Sequence, residues 1–416
     1  MQKSLLTVLV VLTVAAGAFG FGNQDQGMVT ADKVVVLEVP NFYPAVDAHT
    51  HVGSSEESFD TAINAMDAAG VACSVNLSGG SGENLDRALA GAAKYPGRFV
   101  TFCGVSARGD EWKAPDIGEK FAQQIQQAHD KGAAGFGEIV KWTLFSRIDW
   151  DDPRLEPVWN KLEELKMPIN WHVGDPSRYW RPQGPYNTLE SNGYMTGFPS
   201  KQECLFKQEH VLEKHPNLIV IAAHSNYLAD QVPYLMYRFQ KYPNYYIDLS
   251  ATCGEWGRVP EEFVDICKMY PDRILYGTDA GYRGGRTEEP VDMDTVVRNF
   301  KAFQVAHFLF YGTRQRGIPI PWNGNYGKYI THWENGFTRY AHDGVNLPDD
   351  ILRKIYYQNA ERLFGIKVAD WKPAEGFTYK MGTEDLQPRE RGGANEPPAG
   401  RRRPPATEAP APAPAN

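Results

Sequence analysis

Eight short apolar, β-branched runs recur along this chain, and stretches of helical character separate them. The runs are Ala45–His49, Val71–Leu77, Phe99–Val105, Ala133–Ile139, Pro168–His172, Leu218–His224, Tyr245–Ser250 and Arg273–Thr278. Between them, Phe59–Ala69, Gly82–Tyr95, Ile117–Lys131, Leu155–Leu165, Gln202–Lys214 and Pro260–Tyr270 carry the amphipathic or Ala-rich pattern of helices. Several end in stop punctuation, such as Gly70, Gly132, Tyr95-Pro96-Gly97 and Tyr270-Pro271. Strands that alternate with helices must pair in parallel, because each helix carries the chain back to the start of the next strand. Eight such units fit a closed α/β barrel, the (β/α)8 TIM barrel, better than an open sheet.

The barrel occupies 42–366, and the flanks have a different character. Met1-Gln2-Lys3-Ser4 followed by the unbroken apolar run Leu5–Ala18 has the layout of a secretory signal peptide over 1–20. An anchor helix needs about 20 apolar residues, more than this run supplies. The chain is therefore expected to be exported, periplasmic or secreted, with no stable membrane insertion. At the other end, 383–416 contains Arg401-Arg402-Arg403 and finishes in a Pro/Ala repeat. It has too little apolar surface to offset its ordering entropy and reads as a disordered tail. Acidic residues outnumber basic ones, 51 to 43, for a net charge of −8, so there is no electrostatic basis for binding nucleic acid. The five cysteines are scattered, with no CxxC, which excludes a disulfide scaffold and makes buried small hydrophobes the plain reading.

In a barrel of this kind the chemistry belongs at the C-terminal ends of the strands. The first run ends Asp47-Ala48-His49-Thr50-His51, and a strand period of two puts His49 and His51 on one side. The fourth ends at Glu138, the fifth at His172, the sixth at His224 and the eighth at Asp279. The chain has 10 histidines, and these four fall at three strand ends. Imidazoles with a carboxylate and no thiolate suit Zn²⁺, with Mn²⁺ or Fe²⁺ as alternatives, in a hydrolytic rather than structural site.

DAHTHVG, GFGEI, NWHVGD, IVIAAHSN, YIDLS, ILYGTDA and IYYQNAERLFG together resemble the amidohydrolase superfamily. Within it they resemble the amidohydrolase-related branch that includes aminocarboxymuconate-semialdehyde decarboxylase. The resemblance runs from Asp47 to Gly365. It implies a distorted barrel and a divalent metal on His49, His51, His172 and Asp279, with His224 as an outer or catalytic histidine. Superfamily members with two ions often bridge them from strand four. Glu138 stands at that position, either as a ligand or salt-bridged to Lys141, and one ion is expected in preference to two. Asp248 is expected to organise the mouth, and Cys253 either to line it or to lie buried. His332 and His342 are expected at the surface or in packing.

The expected activity is hydrolysis of an amide, lactone or ester of a small molecule. A divalent cation brings the pKa of a water ligand to about 7, Asp279 holds that water and takes its proton, and His224 polarises a carbonyl or relays the proton. The alternative on the same site is nonoxidative decarboxylation of an aromatic or unsaturated acid, which needs a cationic clamp. Arg178, Arg181, Arg283 and Arg286 are candidates for it, or else solvated surface residues. Two loops rich in aromatics bear on substrate: Gly174–Ser200 carries Tyr179, Trp180, Tyr186, Tyr194 and Phe198, and Gly312–Tyr340 carries Trp322, Tyr326, Tyr329, Trp333, Phe337 and Tyr340. They stack on substrate, pack the loops down, or build a homodimer contact. A non-catalytic binding barrel is the reading from another class, and it would be expected to have lost a ligand.

Overall fold

A computed structural model describes residues 37–38, 43–140, 148–173, 175, 199–282, 293–316, 318–319, 341–373 and 380–381. Nine strands form one sheet: β1 Ala45–His51, β2 Val71–Asn76, β3 Phe99–Cys103, β4 Gly135–Val140, β5 Ile169–His172, β6 Val220–Ala222, β7 Tyr245–Asp248, β8 Ile274–Leu275 and β9 Ala280–Gly281. Their order is β9-β1-β2-β3-β4-β5-β6-β7-β8, and every pairing is parallel.

Of the two outermost members, β8 falls in the expected strand Arg273–Thr278 and β9 lies just beyond its end. Leu275 still pairs with β7, whereas Ala280 pairs with Thr50 of β1. Between them Tyr276 accepts from the Ala48 amide at 2.9 Å and Asp279 donates to the His49 carbonyl at 2.8 Å. The eighth strand therefore crosses from β7 to β1, and the barrel closes through it. The expected strand Arg273–Thr278 is broken because Asp47 takes Thr278 out of the ladder. Its carboxylate accepts from the Thr278 amide at 2.9 Å and from the Thr278 hydroxyl at 2.5 Å.

Around this barrel lie α1 Glu56–Ala69, α2 Glu83–Ala93, α3 Ile117–Asp130, α4 Glu156–Leu165, α5 Lys201–Lys214, α6 Val232–Lys241, α7 Pro260–Met269 and α8 Met293–Gly312. Local chemistry sets their ends. Ser55 caps α1 by accepting from the Ser58 amide, and Gly70 closes it at φ 71°. Ser200 and Glu203 form a reciprocal capping box at the start of α5. Neither α6 nor α8 is among the helical stretches named from the sequence. In α8 apolar residues run round most of the circumference, so no amphipathic stripe marks it, and its buried members Phe300, Phe303, Phe308 and Tyr311 explain why. α6 is short and follows directly on an irregular turn.

The core fills the barrel and the layer between strands and helices. Trp171 on β5 stacks on Trp159 of α4 with ring centroids 5.0 Å apart and meets Trp150 edge-on at 5.5 Å. All five cysteines are buried. Beyond the barrel, Leu37–Glu38 pairs antiparallel with Lys380–Met381, which brings the two flanks together. No helix among the described residues is long and apolar enough to cross a membrane. The segments 1–20 and 383–416 lie outside the described residues.

Candidate functional site

The last residues of β1, β4 and β5 and those just after β6 and the eighth strand converge at one end of the barrel. His49 is fully buried and His51 partly exposed, with ring centroids 5.4 Å apart. Glu138 is central. Its Oε1 lies 2.6 Å from His172 Nδ1, 3.7 Å from His49 Nε2 and 3.7 Å from His224 Nε2. Its Oε2 lies 3.5 Å from His51 Nε2. Asp279 Oδ1 lies 3.2 Å from His51 Nε2 and 3.7 Å from His49 Nε2. The approach of β4 to β5 that allows this depends on Gly137, at φ 125°, where a Cβ would meet the Asn170 carbonyl oxygen at 2.4 Å.

Three imidazoles are held by the other nitrogen, and the fourth turns it toward a carboxylate. His49 Nδ1 donates to Asp248 Oδ2 at 3.0 Å. His51 Nδ1 bonds Ser78 Oγ at 2.8 Å, and His224 Nδ1 donates to the Ser250 carbonyl at 2.9 Å. His172 Nε2 lies 3.4 Å from Asp175 Oδ1. Asp248 is fully buried and also accepts from Asn170 Nδ2 at 3.1 Å, from the His224 amide at 2.9 Å and from Ser250. It thus orders two of the rings from beneath the site.

The charges are mutually dependent. Burial pushes the Glu138 carboxyl up, but His172, His224 and His49 hold it well below the usual carboxylate range. Burial opposes protonation of His172, yet Asp175 and Glu138 hold it well above an ordinary imidazole. His224 is raised against burial chiefly by Glu138, and Asp279 is lowered against burial chiefly by its bond to His51. Asp47, one layer below, is pushed up to about 7 by burial in spite of its bonds to Thr278 and the His49 amide.

His224 reaches the site through an unusual backbone. Residues His224, Ser225, Asn226 and Tyr227 follow β6 with φ of 54°, 52°, 49° and 48°, a left-handed turn without a glycine. This is why β6 stops short of its expected end. Side chains hold the turn at every residue. Ser225 Oγ donates to the Asp248 carbonyl at 2.9 Å, Asn226 Nδ2 donates to Tyr245 Oη at 2.7 Å, and Lys201 Nζ donates to the Tyr227 carbonyl at 2.7 Å. Arg238, also fully buried, braces Tyr245 and Gln208 behind Asn226.

The residues singled out in sequence as His49, His51, Glu138, His172, His224 and Asp279 are thus brought together. Three groups among them and Asp248 have ligand atoms within 4.8 Å of one another: His49/His51/Glu138, His49/His224/Asp248 and Glu138/His172/His224. Cys253 is buried, its thiol pushed well up by burial, and His342 is buried against Gly257 rather than exposed. Lys141, His332, the four candidate arginines and the aromatic residues named in the two loops lie outside the described residues. Asp175, Ser78, Ser250 and Lys201 were not anticipated. Only Asp175 had a visible signal, as the third residue after His172.

The sequence profile of the family described as Amidohydrolase matches residues 46–366. No curated protein matches the chain significantly. The chain is similar to three solved structures. A 2,6-dihydroxybenzoate decarboxylase from Rhizobium is 16% identical, over 78% of this chain and 99% of that one, with a TM-score of 0.43. A dihydroorotase from Campylobacter jejuni is 11% identical, over 78% and 84%, at 0.44. An amidohydrolase from Burkholderia multivorans is 11% identical, over 78% and 99%, at 0.46. The family profile spans the barrel from the second residue of β1 to just past the short helix Asn359–Phe364, and on that match the chain belongs to the amidohydrolase family and is an enzyme of its superfamily.

Proposed function

We propose that this chain is an exported hydrolase that cleaves an amide, lactone or ester bond of a small molecule at a site for two divalent cations. The observation that carries the reading is the shared orientation of four imidazoles. Each turns one nitrogen to Glu138; the other is hydrogen-bonded from outside in His49, His51 and His224 and lies 3.4 Å from Asp175 in His172. The donor set fits a metal on two counts. His49 Nε2 is buried with no hydrogen-bond partner, a costly state that a cation would relieve. The donors are nitrogen and carboxylate oxygen without thiolate, which suits Zn²⁺, Mn²⁺ or Fe²⁺.

His49, His51 and Asp279 would hold one ion, His172 and His224 the other, and Glu138 would be shared. One ion was the expectation from sequence. Two are favoured because two of the three groups, His49/His51/Glu138 and Glu138/His172/His224, meet at Glu138. Likewise, His224 shares a group with Glu138 and His172, so it is placed with the ligands rather than as a proton relay. A bound divalent cation supplies Lewis acidity and lowers the pKa of water. Asp279 serves as the base. Its side chain is 25% exposed, the highest of the site carboxylates, and its contact with His51 keeps it ionised. As water oxygen bonds to the substrate carbonyl carbon, Asp279 takes the proton and returns it to the departing nitrogen or oxygen. Asp248, Ser78 and Ser250 keep the rings in place meanwhile. Export rests on the apolar run Leu5–Ala18.

The test is elemental analysis of the gently purified chain. It is combined with a screen of the metal-loaded enzyme against lactones, N-acyl amides and aromatic acids, with CO₂ recorded in parallel. About two ions per chain and hydrolysis without CO₂ are expected. CO₂ release would establish decarboxylation instead, and less than about 0.3 ion per chain, not restored by Zn²⁺ or Mn²⁺, would leave a binding barrel.

A further inference from the structure

We propose that Asp175 is the positioning residue that turns His172 round, so that Nδ1 rather than Nε2 faces Glu138. The inference rests on the metal reading above and adds to it a residue assigned no role there. His49, His51 and His224 all present Nε2 to Glu138 and are held by Nδ1. His172 alone is reversed: Nδ1 lies 2.6 Å from Glu138 Oε1, and Nε2 lies 3.4 Å from Asp175 Oδ1. In this structure Nδ1 makes a hydrogen bond to the Glu138 carboxylate. Once a cation takes Nδ1, the ring's hydrogen must sit on Nε2, where Asp175, which accepts only, is the carboxylate that faces it.

The surroundings of Asp175 argue against a merely structural role. Burying a carboxylate costs several kcal/mol unless bonds compensate it. The other buried carboxylates of this region are well supplied. Asp47 accepts from Thr278 twice and from the His49 amide, and Asp248 accepts from His49, Asn170, the His224 amide and Ser250. Asp175 is 5% exposed, and among the described residues its polar contact is His172 and its Oδ2 has no hydrogen-bond partner. The nearby Lys201 ammonium adds long-range attraction, but its bonds go to Tyr227 and Asp230. A carboxylate held at such cost for a single ring acts through that ring.

The experiment uses the full chain, wild type and the variants Asp175→Asn and Asp175→Ala, each checked for folding by its thermal transition. Zn²⁺ affinity is measured by competition with a chromophoric chelator. The His172 ring form is read by two-bond ¹H–¹⁵N NMR of labelled histidine, assigned by loss in His172→Gln. In the Zn²⁺-loaded wild type His172 should carry its hydrogen on Nε2. Asp175→Ala should weaken the more weakly held Zn²⁺ by about 10- to 100-fold, the usual effect of losing such a partner, and let the Nδ1–H form appear in the neutral ring. Asp175→Asn, whose amide oxygen still accepts, should fall between. Folded variants with unchanged affinity and the Nε2–H form retained would overturn the inference, as would the Nδ1–H form in the Zn²⁺-loaded wild type. If the wild type binds no metal, the metal reading fails. The ring form in the metal-free neutral state then decides the role of Asp175 by itself.

Discussion

Lys201→Met removes the clamp on the left-handed turn while keeping most of the side-chain stem. Four non-glycine residues in this conformation, at φ 48° to 54°, cost about 1–2 kcal/mol each, roughly 4–8 kcal/mol together. That sum is offset by the bonds to Ser225, Asn226, the His224 amide and the Tyr227 carbonyl. Lys201 is 6% exposed and donates to the Tyr227 carbonyl at 2.7 Å and to Asp230 at 3.0 Å. A hydrogen bond from a charged donor contributes about 1.5–3 kcal/mol net. The ion pair to the 35%-exposed Asp230 adds less than about 1 kcal/mol. Urea denaturation should therefore show a loss of about 2–3 kcal/mol without a change in slope. Because the turn carries His224, bound Zn²⁺ should also fall from about two toward about one per chain. Asp230→Asn keeps the Tyr227 bond, so it should cost under about 1 kcal/mol and leave the metal count alone. A Lys201→Met protein that loses the stability but keeps both ions would refute the link between the turn and His224. A loss under about 0.5 kcal/mol would refute the clamp itself.

Glu138→Gln keeps the shape of the side chain proposed to be shared and removes its charge, so elemental analysis should find about one ion per chain against the two expected of the wild type; an unchanged count would end the bridging role. His307 is fully buried between Tyr276 and Phe303, and burial lowers its pKa from 6.5 to about 3. The unfolded chain therefore takes up a proton below pH 6.5 that the folded chain refuses until about 3, so stability falls as pH drops through that window. The share at pH 4.5 is about 3 kcal/mol. Urea midpoints of His307→Phe against pH should fall less steeply by that amount, and parallel curves would show that another group controls the acid limb.

The strands and most of the barrel helices were legible because their signals are local: β-branched runs of strand length, amphipathic stripes, and glycine or proline stops. Where a helix such as α8 carries apolar residues round most of its circumference, the stripe is lost, since there is little contrast between faces to read. The histidines at strand ends were legible for a related reason. The barrel topology carries every strand end to the same mouth, so position along the strand suffices to predict convergence. What remained invisible depends on contacts between distant segments. Asp47 breaks the eighth strand from 231 positions away. Lys201 on α5 holds a turn 26 residues on, and Asp248 orders His49 across 199 positions. Nothing in a run of residues states which nitrogen of a ring will face inward. Ring orientation is set by whichever acceptor the closed barrel brings behind it, and it is this choice, made by Asp248, Ser78, Ser250 and Asp175, that turns four histidines into one site.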